Sequence, residues 1–479
     1  MLTKLIDKYK NISPAVKASV AFTICSVVQR GIQIITTPVF TRMMSTEQFG
    51  EYNLYTTWLS IIMIFATLHI STGGYPKGML KYEDQRSQFV SSMQTLANTV
   101  TIVVFTVYIV ARDFWNELLG LPQIVMWAIF LELLFSPAFS LWAVRQRFEY
   151  KYRALMVVTL VTAVLNPTIG ILAVTSTEEK GIARILSVSM VTACIGLVFY
   201  IVNILKGKCL FRWEFWKFAL AFNLPLVPHY LSNIVLSSSD RIMIERMFGE
   251  TQVGMYSLAG SIGMIMLILS ESMNAGFSPW AYQKCKEREY QSLSKVAEGL
   301  LVLMAVVTLV PVMLGPEVIQ ILGTAEYLDA VGAIAPIALG NYFIYMYGFF
   351  ALVEFYHEKP KYVMIATCLA AGSNVILNLL FMPIFGYIAA GYTTAVSYLL
   401  LVFVHYVAMK RVCRQEGITE SIYNLKHFFV ITAALCAAIA LFVFSYQNML
   451  LRYGLIVVFS VTIFVKRHTL MALYRGRNK

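Results

Sequence analysis

Fourteen apolar stretches of about 20 residues follow one another along the chain, centred near residues 30, 62, 99, 132, 165, 193, 228, 265, 305, 343, 372, 398, 437 and 458. A helix of that length crosses the ~30 Å of hydrocarbon in a bilayer. Lipid offers a backbone no hydrogen-bonding partner, so a spanning segment must satisfy its own groups, as a helix does. The chain is therefore read as an all-α polytopic membrane protein of about 14 transmembrane helices. Composition agrees, because 58% of the 479 residues are hydrophobic and the mean hydropathy is +0.68, beyond the apolar share of soluble domains. Little chain remains for a soluble domain.

A net charge of +12 raises the question of nucleic acid, and the placement of the positive residues answers it. With the N-terminus inside, thirty Lys and Arg fall on inner segments. Seven fall outside, namely Arg42, Arg112, Lys180, Arg184, Arg241, Arg246 and Arg452, and Arg30 lies within a span. By the positive-inside rule both termini are cytoplasmic. No aromatic-interleaved basic surface survives this partition, which excludes nucleic acid as a partner. Of the seven cysteines, Cys25, Cys194, Cys368 and Cys436 sit in spans and Cys209, Cys285 and Cys413 on the inner side, so no external disulfide framework is expected.

The segment Arg42-Met43 … Gln48-Phe49-Gly50-Glu51-Tyr52 returns 204 residues later as Arg246-Met247 … Gln252-Val253-Gly254-Met255-Tyr256. A second echo, at a shift of 208, joins Ala143, Lys151, Met156, Thr159 and Asn166 to Ala351, Lys359, Met364, Thr367 and Asn374. Six spans separate the copies, so the two lobes share one orientation and are related by an axis along the membrane normal. The expected organisation is an amphipathic cytoplasmic N-terminus over 1–17, an N-lobe over 18–204 (spans one to six) and an inner linker over 205–217. A C-lobe over 218–408 (spans seven to twelve), an inner loop over 409–426, a helical hairpin over 427–466 (spans thirteen and fourteen) and a basic tail over 467–479 complete it. The two pseudo-symmetric six-helix lobes are expected to enclose a central cavity. Pro225 and Pro228 in span seven predict a bent or interrupted helix.

Span one places Ser26, Arg30, Gln33, Thr37 and Thr41 on one helical face, a polar stripe that lipid would not tolerate. Span seven repeats the device with His229, Asn233, Ser237 and Asp240, followed by Arg241. Both stripes are expected to line a hydrated cleft, with Tyr230 and Tyr342 supplying aromatic faces to a ligand. Arg30 stands out, since a mid-span charge costs roughly 2.5–3.5 kcal/mol and needs compensation. Two readings are open for it, contact with cargo and an interhelical pair with Glu132 of span four. Glu271 and Glu354, in the inner halves of spans eight and ten, could take up and release a proton, or could be neutralised by a neighbouring span. His229 is a further candidate for carrying a proton, whereas His69 and His405 read as neutral packing residues.

Several motifs are absent. The chain has no Gly-x-x-x-x-Gly-Lys-Ser/Thr loop, no metal-ligand cluster and no second histidine after His357-Glu358. No cofactor or metal is expected, and no catalytic residue is assigned.

The stretches Arg30 with Pro38 and Arg42 … Phe49-Gly50-Glu51-Tyr52, Leu224-Pro225-Leu226-Val227-Pro228 … Asp240-Arg241 … Val253-Gly254-Met255-Tyr256-Ser257, and Gly386-Tyr387-Ile388-Ala389-Ala390-Gly391 carry a resemblance. Over most of its length the chain resembles the polysaccharide flippases of the multidrug/oligosaccharidyl-lipid/polysaccharide exporter superfamily. The resemblance implies two six-helix bundles that open a central cavity alternately to either side, with Arg30, Asp240 and Arg241 matching positions where such flippases place charge. It implies a bacterial inner-membrane transporter rather than an enzyme, moving undecaprenyl-pyrophosphate-linked oligosaccharide outward for O-antigen or another surface polysaccharide. Membrane lipids, H+ or Na+, and a polysaccharide polymerase are the further candidate partners.

A drug or organic-cation antiporter of the same superfamily is the alternative, and it should prefer an acidic cavity. A lipid II translocator is a closer relative, and a membrane polymerase or glycosyltransferase would require a catalytic loop that is not found. The topology makes a prediction. Green fluorescent protein fused after Lys479 should fluoresce, alkaline phosphatase fused at the same point should be inactive, and the reverse pattern would refute the assigned orientation.

Overall fold

The computed structural model describes residues 14–149 and 151–465, and among them all regular structure is helical. The expected amphipathic N-terminus (1–17) and basic tail (467–479) lie largely or wholly outside the described residues. Contacts divide the chain into two compact units, Met1–Ile234 and Val235–Lys479. The division falls inside a helix of span seven, beyond the inner segment 205–217 where the sequence places the linker.

The first unit contains α1 (Pro14–Met43), α2 (Thr46–Thr67), the short α3 (Tyr75–Lys81), α4 (Arg86–Val110), α5 (Arg112–Leu119), α6 (Gln123–Phe148), α7 (Tyr152–Thr175), α8 (Lys180–Gly207) and α9 (Trp213–Asn223). It ends within α10 (Val227–Phe248). The second unit continues with α11 (Glu250–Glu287), α12 (Tyr290–Met313), α13 (Gly315–Leu322), α14 (Val331–Tyr356), α15 (Pro360–Phe385), α16 (Ala389–Gln415), α17 (Leu425–Phe444) and α18 (Met449–Val465). Every predicted span centre lies within one of these helices. Eleven helical segments among the described residues are long and apolar enough to cross a membrane; α1 and α2 fall outside that group, and α18, at 17 residues, is shorter. The protein is a multi-pass membrane protein.

The two copies of the repeat occupy equivalent junctions, α1 to α2 and α10 to α11, and close them by different chemistry. In the first, Ser45 and Gln48 form a capping box, Ser45 Oγ accepting from Gln48 N and Gln48 Oε1 from Ser45 N, both at 3.1 Å. In the second, Gly249 occupies the position equivalent to Ser45 and turns the chain at φ 93°, a conformation open to residues without a Cβ. Span seven is interrupted as its prolines predict: α9 stops at Asn223, a 3-10 turn covers Leu224–Leu226, and α10 begins at Val227.

In the first unit α6 and α8 form the tightest pair, α1 lies along α7, and α4 packs against α2, α6 and α8. Residues assigned to the linker join this unit's core. Phe215 is wholly buried, its ring centroid 4.7 Å from Tyr82 and 5.3 Å from Phe89, edge-on to both, and Trp216 Nε1 donates to the Ser92 carbonyl at 3.1 Å. In the second unit α14 is the central helix, pairing with α16 and flanked by α11 and α12. The final hairpin is built into this unit: α17 packs along α12, Phe428 sits among Phe349, Phe350 and Tyr423, and Arg452 of α18 pairs with Glu317.

Close approach of α6 and α8 depends on Gly196. A Cβ there would stand 2.5 Å from both the carbonyl carbon and oxygen of Phe135, which are backbone and cannot rotate away. Gly196→Ala should destabilise the protein by about 1–3 kcal/mol, read as a lowered melting temperature in detergent; an unchanged melting temperature would show that the helices are not this close.

Candidate functional site

In the first unit the α1 stripe is polar and partly open. Ser26 and Gln33 are exposed, Arg30 and Thr37 half-buried, and Thr41 buried. Thr36 and Thr37 donate to the Gln33 carbonyl at 3.1 and 2.9 Å, returning their hydroxyl hydrogens to the helix and leaving Arg30 and Gln33 as the stripe's long polar side chains. Glu132 is buried, and the Tyr55 hydroxyl donates to its Oε2 at 2.6 Å. The same hydroxyl shares a hydrogen bond with Ser189 at 2.7 Å. The mid-span carboxyl is thus held by hydroxyls of α2 and α8, and the Arg30 pairing weighed from the sequence is not what holds it.

The first half of α10 belongs to this unit. Asn233 is exposed and lies 3.2 Å from His229 Nε2, and Tyr230 packs its ring 4.8 Å from His69. His69, read from the sequence as simple packing, borders a cavity of about 220 Å3 whose polar lining includes Thr67, Ser71, Thr72, Ser136 and Ser140. Burial lowers the basicity of His69 below that of an ordinary histidine. These serines and threonines went unnoticed in the sequence because they are scattered over the loop after α2 and the middle of α6. The one available signal was Pro137, which frees a carbonyl inside α6.

In the second unit Asp240 is the centre of a sealed polar cluster. It is 3% exposed and accepts from Tyr256 Oη at 2.8 Å, Asn378 Nδ2 at 2.7 Å and Thr394 Oγ1 at 2.7 Å. The donors are themselves tied in: Asn374 Nδ2 donates to Thr394 Oγ1 at 2.8 Å, and Thr393 Oγ1 donates to the side-chain Oδ1 of Asn378. Arg241 is half-buried and donates from Nε to Ser257 Oγ at 3.0 Å, while Ser237 is exposed on the neighbouring face. The sequence grouped Ser237 and Asp240 on one open stripe, with Arg241 next to it. The structure separates them, with Asp240 turned into α11, α15 and α16 and only Ser237 fully open.

The remaining predicted residues fall apart in space. Glu271 is exposed on α11. Tyr342 is buried within α14, its hydroxyl 2.9 Å from Thr432 of α17, and so is not an available sugar-stacking face. Glu354 is wholly buried beside His405, at 2.9 Å; His405, expected only to pack, is the partner of the carboxyl.

Long apolar helices, with polar side chains either gathered in buried clusters or left open along two helix faces, define an all-helical multi-pass membrane protein among the described residues. A family model described as polysaccharide biosynthesis protein matches residues 15–276, more than half of the chain, and the protein belongs to that family. It is 22% identical over 351 residues to an Lsg locus protein of Haemophilus influenzae, covering 69% of this chain and 84% of that one. Among solved structures, the fold is similar to the lipid II flippase MurJ in an inward closed conformation, with TM-score 0.64 and 14% identity over 94% of this chain and all of that one. It is also similar to an inward-facing multidrug-resistance MATE transporter of the MOP superfamily, with TM-score 0.64 and 15% identity over 84% of this chain and all of that one.

Asp240→Ala would leave the Tyr256, Asn378 and Thr394 donors buried and unanswered, at about 1–3 kcal/mol each. The variant should melt well below the parent in detergent, and Asp240→Asn, which keeps one acceptor, should lose less. Equal melting temperatures for all three proteins would contradict the sealed cluster.

Proposed function

We propose that the protein is a flippase that carries a lipid-linked oligosaccharide, with undecaprenyl pyrophosphate as the carrier, from the inner to the outer leaflet of a bacterial inner membrane. The observation that carries the reading is the open polar face of α1 and α10, where Ser26, Gln33, Asn233 and Ser237 are exposed on otherwise apolar helices. Such side chains are costly against hydrocarbon, so these faces meet water or a hydrated head group. Membership of a polysaccharide biosynthesis family and a fold shared with a lipid II flippase support a sugar-bearing lipid as the cargo.

Arg30 is the cargo residue of this reading. Guanidinium presents a planar set of donors matched to phosphate oxygens, and its place on the α1 stripe puts it beside Ser26 and Gln33, which suit hydroxyl groups of sugar. Arg241, already tied to Ser257, contributes positive charge within the second unit rather than a mobile contact. Tyr230 and Asn233 add a ring face and an amide. The polyprenyl tail remains in lipid, and the two units change their exposure by alternating access, with fourteen spans and both termini inside. The exported repeat units would pass to a polysaccharide polymerase.

An organic-cation antiporter is the second reading, since a MATE transporter shares the fold. A mid-helix arginine opposes cationic cargo. Reconstituted vesicles decide between the two. Fluorescent lipid-linked oligosaccharide should become accessible to an external quencher with the parent protein, and Arg30→Ala should slow this by about 10- to 100-fold, corresponding to loss of one charge-assisted contact of about 1.5–3 kcal/mol. Equal rates for the two proteins would remove the arginine's role, and uptake of a small organic cation without lipid movement would favour the antiporter.

A further inference from the structure

The second unit contains a titratable pair that the movement of cargo does not use. Glu354 near the end of α14 and His405 in α16 are both wholly buried, with Nδ1 of the imidazole 2.9 Å from Glu354 Oε1. Among the described residues, the other two polar atoms of the pair, Glu354 Oε2 and His405 Nε2, have no hydrogen-bond partner. A pair that served only to join α14 to α16 would close those positions or be replaced by apolar side chains, because each buried polar atom left open costs about 1–3 kcal/mol. Groups that must accept and surrender a proton have a reason to keep them open.

The surroundings connect the pair to the Asp240 cluster. Tyr347, two turns before Glu354 on α14, stacks on the imidazole with ring centroids 5.0 Å apart and planes 15° from parallel. Tyr398, two turns before His405 on α16, is buried. Thr394, one turn earlier still, donates to Asp240 at 2.7 Å. From Thr394 to His405 the helix rises about 16 Å, roughly half the thickness of the hydrocarbon.

Other elements packed on α14 carry titratable groups that are occupied elsewhere or open to the outside. Glu271 of α11 is exposed, as are Glu326 and Asp329 of the turn before α14 and Cys368 of α15. Glu298 of α12 takes His427 of α17 at 2.8 Å, and Glu317 of α13 takes Arg452. Among the described residues, none of these groups hydrogen-bonds to the pair.

We propose that Glu354 and His405 form a proton-binding site, and that Tyr347 and Tyr398 convey its charge to the hydrogen-bond cluster of Asp240. With carboxylate and neutral imidazole the pair has a charge of −1. One added proton, on either partner, makes it neutral, and neutrality is the favourable state in a dry interior. Only O–H and N–H bonds form and break: the proton arrives from water on one side and returns to water on the other. Release leaves a bare charge that is tolerable only when water reaches the pair, so loss of the proton is tied to opening of this unit. The inference rests on the transporter reading for its purpose, and it makes the proton the coupling ion, but the site itself can be examined without cargo.

Infrared difference spectra of the purified full-length protein, stepped from about pH 5 to about pH 9, read the pair directly. The expected result is a single step in which carboxyl or carboxylate bands and imidazole bands change together, lost in both Glu354→Gln and His405→Asn. A spectrum from Glu354→Gln identical to that of the parent would overturn the proposal, as would an imidazole step that survives unaltered without the carboxyl. Asp240→Asn removes negative charge from the far end of the file and should move the midpoint to lower pH; an unmoved midpoint would remove the link to Asp240. Should the vesicle assay show no lipid movement while this step is present, the cargo assignment fails and the proton site stands.

Discussion

Hydrocarbon satisfies no polar group, and most of this structure follows from that. Backbone amides turn inward into helices, and side chains with unmet hydrogen-bonding capacity must find one another or find water. Among the described residues, three carboxyls are buried, and each has found a partner. Glu132 takes the Tyr55 hydroxyl, Asp240 takes three donors from three helices, and Glu354 takes His405. Along α1 and α10, by contrast, Ser26, Gln33, Asn233 and Ser237 are exposed. The division between buried clusters and open faces is what separates scaffold and proton chemistry from the proposed cargo path.

The fold was legible because its determinants are local. Apolar length marks the eleven helical segments that are long and apolar enough to cross a membrane among the described residues, and the centre of every predicted span falls within a helix. The paired Pro225 and Pro228 give the break between α9 and α10, since a ring without an N–H cannot continue the ladder. Each copy of the repeated segment falls at a helix junction for a local reason too, because Ser45 and Gly249 each lie between the end of one helix and the start of the next. The boundary between the units was not legible. It depends on where Phe215 and Trp216 find partners, and those partners, Tyr82, Phe89 and Ser92, lie more than 120 residues earlier in the chain.

The site was legible in residue type and not in direction. Period alone placed Ser237 and Asp240 on one stripe, yet three residues of helix turn about 300°, and the 60° that remains is enough for one side chain to face α15 and α16 while the other stays open. His405 illustrates the converse. Nothing in its neighbourhood in sequence marks it as functional, and its significance comes from Glu354, 51 residues away. Long-range pairing of this kind is invisible to a hydropathy window, which sees the apolar background of α14 and α16 and not the two polar atoms within it.

The most direct test of the account is mass spectrometry of lipid-linked saccharides from cells that lack the protein. The account predicts that undecaprenyl-pyrophosphate-linked repeat units accumulate on the cytoplasmic face and disappear when the parent protein is restored. Single units already displayed on the outer face, or an unchanged lipid-linked pool, would contradict it.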